Sequence, residues 1–201
     1  TPCSANPPPV SQSTPTLLLE DVRGQEQARE AAIIAACGHH HLLLQGPPGT
    51  GKSLLARRIC HLLPDLNRTE ALAVAKIEAC LGRVPQLPFR PPFRAPHASS
   101  SAQGILGGGN PLRPGELSRA HHGVLFLDEM PEFARPILEG LRQPLEDGEV
   151  RIQRAGALAC FPASTLLVAA RNPCPCGYAT HPKIGCRCTV MASLRYLNRT
   201  S

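Results

Sequence analysis

The chain has 201 residues, 42% hydrophobic but only 3% aromatic and without Trp, and its 21 basic against 15 acidic side chains leave a net charge of +6. That content supports one core packed from Leu, Ala, Val and Ile, and the apolar runs fall far short of a helical membrane span. Nine cysteines in this length are below the density of a secreted disulfide scaffold; with no signal-peptide pattern, the chain reads as cytoplasmic, with no membrane partner.

Residues 1–18 read as a disordered linker, because Thr1–Thr16 holds five prolines and no charge. His39, His40 and His41 lack acidic or cysteine neighbours and read as a surface loop. Leu42, Leu43 and Leu44 form a short apolar run suited to a buried strand. Residues 46–53 then read GPPGTGKS, the phosphate-binding pattern G-x-x-x-x-G-K-[ST]. From Lys52 the spacing of Leu55, Ile59, Leu62 and Leu63 predicts a helix that Pro64 stops. A glycine-rich turn with a surface lysine would also fit the octet, but strand, glycine loop and helix is the order phosphate binding needs. Gly46, Gly49 and Gly51 let the backbone turn tightly and aim its N–H groups inward at the positive end of the helix. Lys52 reaches the β and γ phosphates, and the Ser53 hydroxyl is placed to ligate Mg²⁺.

Residues 84–118 read as a long polar stretch rich in Pro, Gly and Arg, too polar for core and, by its length, functional. Arg90, Arg94 and His97 within it fit contacts to DNA or a neighbouring subunit, or simply solvent. Val124–Leu127 is a strand-like run that delivers Asp128 and Glu129 at its end, where open α/β sheets build their sites. Asp128 would hold Mg²⁺ through its hydration shell, and Glu129 would polarise the attacking water. Residues 149–161 alternate around a turn at Gly156 and read as a β-hairpin, with Arg151 and Arg154 as candidate DNA contacts or solvated charges. Thr165–Ala170 is a third strand, ending in Arg171 and Asn172, whose amide could bond that water or the γ-phosphate. Any one of these polar residues could be a turn or helix cap; after a phosphate loop, the set in this order points to hydrolysis.

Cys37, Cys60 and Cys80 sit on helical patterns and read as small core residues. Cys174, Cys176, Cys186 and Cys188 form two close pairs, a set that satisfies tetrahedral Zn²⁺ and would staple a short loop without a core. The C-x-C spacing is tighter than the usual zinc pattern, so reduced thiols stand as the second reading and disulfides as the third. Residues 150–201 carry seven basic side chains and no acid. That asymmetry suggests an anionic partner such as nucleic acid, unless compensating acids lie beyond Ser201.

The order of GPPGTGKS, VLFLDE and a strand ending in Asn172 resembles an AAA+ ATPase. RPPFRAPHASS, LGGGNPLRPGELSRAHHGVLFLDEMPEF, LRQPLEDGEVRIQRA and AARNPCPCG resemble its magnesium-chelatase-like branch, specifically the ComM/YifB group, over residues 19–201. The resemblance implies an α/β fold: a three-layer P-loop core with a mainly parallel sheet, incomplete at its C-terminus, with a hairpin before the sensor strand projecting toward a ring's pore and a Cys-rich loop. Residues 84–118 are an insertion in that family. The nucleotide would lie on Val22, beside the adenine, and on Gly46, Pro47, Pro48, Gly49, Thr50, Gly51, Lys52, Ser53 and Leu54. Lys52, Asp128, Glu129 and Asn172 would carry hydrolysis. Ala98 and Arg171 depart from the family, which usually has histidine and an apolar residue there.

The resemblance further implies a motor domain that hydrolyses ATP with Mg²⁺ and, as a ring, likened to a hexamer, remodels or branch-migrates DNA. A chelatase-type subunit driving metal insertion into a porphyrin is the alternative, and a zinc-stapled DNA-binding module with a switch-like ATP site is a third. The family continues past the position of Ser201 to an arginine finger, a fifth strand and a lid, so residues 1–201 alone are expected to turn over little ATP.

Overall fold

Four consecutive apolar residues, Val124 to Leu127, are stable as a strand only where both faces are covered, and all four are buried. The computed structural model describes residues 19, 22, 24–84, 87–154 and 157–200, apart from the side chains of Arg154, Ala157 and Thr200. The expected linker, residues 1–18, lies outside them. The elements in chain order are α1 (Glu26–Gly38), β1 (Leu42–Gln45), α2 (Lys52–Leu62), α3 (Arg68–Ala79), β2 (Phe93–Arg94), α4 (Ala102–Leu106), β3 (Gly107–Gly108), β4 (Arg113–Pro114), α5 (Glu116–Arg119), β5 (Val124–Leu127), α6 (Arg135–Asp147), β6 (Glu149–Arg154), β7 (Ala157–Pro162), β8 (Leu166–Arg171) and α7 (Val190–Leu197).

The central sheet has the order β1-β8-β5-β2 and is parallel throughout, with Leu42 opposite Val168 and Val124 opposite Leu166. Side-chain alternation along β5 divides the core in two. Val124 and Phe126 pack with Ala32, Leu55 and Ile59 of α1 and α2. Leu125 and Leu127 face the other way, onto Ile105, Leu117, Ile137 and Leu141 of α4, α5 and α6. Helices on both faces of a parallel sheet make the expected three-layer α/β fold. The hairpin is present as β6 and β7, antiparallel with Val150 opposite Phe161.

The stretch 84–118 is not the polar excursion its composition suggests. Phe93 and Arg94 form β2, an edge strand of the central sheet, and Phe93 stacks on Phe126 with centroids 6.0 Å apart. Ile105 and Leu117 are fully buried. Pro and Gly separate these apolar residues, so no periodicity announces them. Gly123 permits the docking of β2, since a Cβ there would lie 2.0 Å from the Pro92 carbonyl oxygen.

Arg94 is also not a free charge: its Nε and terminal nitrogen donate to Glu116 at 2.5 and 2.9 Å, and Glu116 also accepts from Arg119. Of the three helical cysteines only Cys60 is buried, its thiol donating to the Pro91 carbonyl at 3.3 Å. Cys37 and Cys80 fall at the ends of α1 and α3, past the stripe that meets the core, and are exposed. His41 extends the β1–β8 ladder by accepting the Leu167 N–H at 3.2 Å.

Candidate nucleotide site

Three parallel strands end side by side, and each delivers one part of the site. The β1 end runs into the loop Gly46–Gly51, which the Arg171 carbonyl anchors by accepting the Gly46 N–H at 3.3 Å. Within the loop the Thr50 hydroxyl donates to the Pro47 carbonyl at 2.9 Å. Gly49 and Gly51 adopt φ of 78° and 82°, the left-handed region that side chains resist. No side chain caps α2, so its first N–H groups remain available to an anion.

Lys52 folds back over the loop. Its ammonium donates to the carbonyls of Gly46 and Pro47 at 2.8 and 2.9 Å and to Asn172 Oδ1 at 3.3 Å, which occupies all three of its protons. Burial lowers the Lys52 pKa from its ordinary value, against the opposing pull of Asp128 and Glu129. The Ser53 hydroxyl donates to Asp128 Oδ2 at 2.8 Å, and the Glu129 N–H to Asp128 Oδ1 at 3.0 Å. Glu129 itself is left-handed, with φ 51° and ψ 47°, a conformation of the kind that collects at functional sites in non-glycine residues. The predicted residues Lys52, Ser53, Asp128 and Asn172 therefore converge, and Glu129 adjoins them.

Beside the loop lies a cleft of about 400 Å³, lined by Val22, Ala28, Leu42, Thr50, Lys52 and Thr180 among others. Val22 is buried and lines the cleft; Leu54 is exposed on the first turn of α2. Thr180 was not anticipated. Nor was Gly177, φ 85°, where a Cβ would fall 2.7 and 2.8 Å from Cδ and Cγ of Pro48. Neither has a local signal, because their role comes from contact with residues more than a hundred positions away. Tyr196 on α7 is buried, and burial raises its pKa against the opposing pull of the Asn172 backbone, which places α7 beside the site as a further unpredicted neighbour.

The four clustered cysteines do come together, with all four Sγ atoms within 4.8 Å of one another. Cys174 lies 3.3 Å from Cys176 and 3.6 Å from Cys186, and Cys176 lies 3.6 Å from Cys186. Backbone hydrogen bonds from Tyr178 and Arg187 pull the Cys176 thiol down to about 6. A Zn–S bond of about 2.3 Å requires tetrahedral sulfurs about 3.8 Å apart, so this donor set fits a metal. Of the hairpin arginines, Arg151 is exposed and pairs with Glu149 at 2.5 Å, while the Arg154 side chain lies outside the described residues. Among the departures, Ala98 packs on the second core cluster and Arg171 donates to Gln45 at 2.8 Å.

A parallel sheet covered by helices on both faces, with a glycine loop at the end of β1 and an Asp-Glu pair at the end of β5, defines the P-loop nucleotide-binding class to which AAA+ proteins belong. The chain belongs to the family described as magnesium chelatase, subunit ChlI, whose model matches residues 18–201. It is 48% identical over 190 residues to the competence protein ComM of Haemophilus influenzae, covering 92% of this chain and 36% of that protein. It is 49% identical over 187 residues to YifB of Escherichia coli K12, covering 91% of this chain and 36% of the relative. The chain thus spans little more than a third of the length of these relatives. Among solved structures, the complex between BchI and BchD of magnesium chelatase shares the fold with a TM-score of 0.64 at 22% identity, covering 90% of this chain and 65% of that one. Among the described residues no helix is long and apolar enough to cross a membrane.

Proposed function

We propose that residues 19–201 form the ATP-binding and ATP-hydrolysing motor core of a ring, hexameric by family likeness, that remodels or branch-migrates DNA in the cytoplasm. The observation that carries the ATPase reading is the meeting of Ser53 with Asp128 and of Lys52 with Asn172, at 2.8 and 3.3 Å, beside an uncapped helix. Ser53 and Asp128 form the pair that would hold Mg²⁺, which when bound neutralises charge on the β and γ phosphates. Lys52 exchanges its carbonyl partners for phosphate oxygens. Glu129 takes the proton of the attacking water, and Asn172 orients it. Similarity to a competence protein and the acid-free basic segment 150–201 support DNA as the partner. We further read Cys174, Cys176, Cys186 and Cys188 as zinc ligands, on their sulfur spacing.

The family match to ChlI and 28% identity over 169 residues to the magnesium-chelatase 38 kDa subunit of Cereibacter sphaeroides favour the chelatase reading as the second. Turnover by the complete protein separates the two. DNA should stimulate it and porphyrin should not; the reverse would establish the chelatase reading.

A further inference from the structure

The cysteine cluster and the phosphate loop are built against each other. Asn172, which accepts from Lys52, stands two residues before Cys174, the one fully buried ligand candidate. Between Cys174 and the second thiol pair the chain turns sharply, with the Gly177 N–H donating to the Cys174 carbonyl at 2.9 Å. That turn seats Gly177 directly on Pro48 of the phosphate loop, where a Cβ would fall 2.7 Å from the proline ring, and beside the Asn172 side chain, which a Cβ would meet at an ordinary contact distance of 3.9 Å. Three residues further on, Thr180 forms part of the cleft wall.

Little regular structure supports this placement. Residues 173–189 contain no helix or strand. Their described hydrogen bonds include local ones, from Lys183 and Ile184 to His181 and from His181 to Tyr178, bonds between the cysteines, from the N–H of Cys176 to Cys188 Sγ and from that of Cys188 to Cys186 Sγ, and, at the far end, those from Ala192 and Ser193 of α7 to Thr189. Apolar anchoring is confined to the start of the loop, where Pro173 and Cys174 are buried, while Ile184 is 47% exposed. A metal shared by the four thiolates would hold such a loop in one conformation.

Resting on the zinc reading above, we propose that zinc held by the four thiolates is a structural part of the nucleotide site: it clamps residues 174–188 so that Gly177 braces Pro48, Asn172 stays within reach of Lys52, and Thr180 closes the cleft. Binding Zn²⁺ releases to solvent whatever protons the four thiols still carry and changes no oxidation state. Nucleotide affinity then depends on metal occupancy even though no ligand touches the nucleotide, because without the metal the loop must be ordered at the moment of binding.

The test measures zinc per chain by elemental analysis and the affinity for a fluorescent ATP analogue. The protein is taken as purified, after treatment with a zinc-selective chelator, and after zinc is returned; a Cys186→Ser/Cys188→Ser variant and Gly177→Ala accompany it. The expected result is close to one zinc per chain, affinity weakened about tenfold or more on removal, and recovery when zinc is restored. Gly177→Ala should keep its zinc yet bind nucleotide more weakly. A protein that takes up no zinc overturns both this proposal and the metal reading. Zinc present, with affinity unchanged by its removal, leaves the metal site standing and overturns the clamp. Affinity that stays low after zinc returns marks collapse of the fold and overturns it too.

Discussion

His121 links the two strands that build the site, and its buried ring gives the fold a calculable pH dependence. It is 7% exposed, sits just before β5, and accepts the N–H of Ser164, just before β8, at 3.1 Å. Burial, with neighbouring His122, pulls its pKa down to about 4, so the ring is neutral in the fold, whereas an unfolded histidine titrates near 6.5. Because the folded value is the lower one, the unfolded chain binds more protons between these values. The stabilisation is therefore complete above about pH 6.5 and is lost as pH falls toward about 4. Integrating from pH 7 to pH 5 gives a loss of about 2 kcal/mol from this residue. Urea unfolding at both pH values, compared with His121→Gln, isolates it: glutamine keeps an acceptor for Ser164 but does not titrate. The unsubstituted chain should lose about 2 kcal/mol more than the variant on acidification. Equal losses would refute the neutral buried ring.

Glu116 is buried enough to raise its pKa, yet its hydrogen bonds and proximity to Arg94 and Arg119 bring it below the usual carboxylate range. Its contribution is present above the unfolded carboxylate pKa and lost as pH falls through the depressed folded one, so Glu116→Gln should cost about 1–3 kcal/mol at pH 7. That cost should vanish in acid; a pH-independent cost in denaturant unfolding would contradict the ion pairs. Arg151→Ala with Arg154→Ala in the complete protein should lower DNA affinity and flatten its salt dependence by about 0.7 to 0.9 per lost phosphate contact. Binding unchanged across a salt series would return Arg151 to its pairing with Glu149.

The parts of the site that were legible in the sequence are those whose chemistry requires neighbouring residues. Gly49, Gly51, Lys52 and Ser53 must be consecutive with a helix start, and Asp128 and Glu129 must follow a strand, so spacing alone located them. The hairpin was visible because its alternation is local. The core role of Phe93, Ile105 and Leu117 was hidden, since each is isolated among prolines and glycines and is buried by a sheet and helices formed elsewhere. Arg94 looked like a surface charge because its partner Glu116 lies 22 residues away. The brace of Gly177 on Pro48 had no signal: it arises from one loop closing on another across the fold. The cysteine spacing revealed a cluster but not that the cluster abuts the phosphate loop.

The central claim is that Lys52 binds the nucleotide while Glu129 acts only in its hydrolysis. In the complete protein, binding of ATP and its steady-state turnover should be measured for Lys52→Ala and Glu129→Gln side by side. Lys52→Ala is expected to abolish binding, and Glu129→Gln to retain it while losing about 10² to 10⁴ in turnover. Equal loss of binding in both variants, or full turnover in Glu129→Gln, would contradict the roles assigned to the ends of β1 and β5.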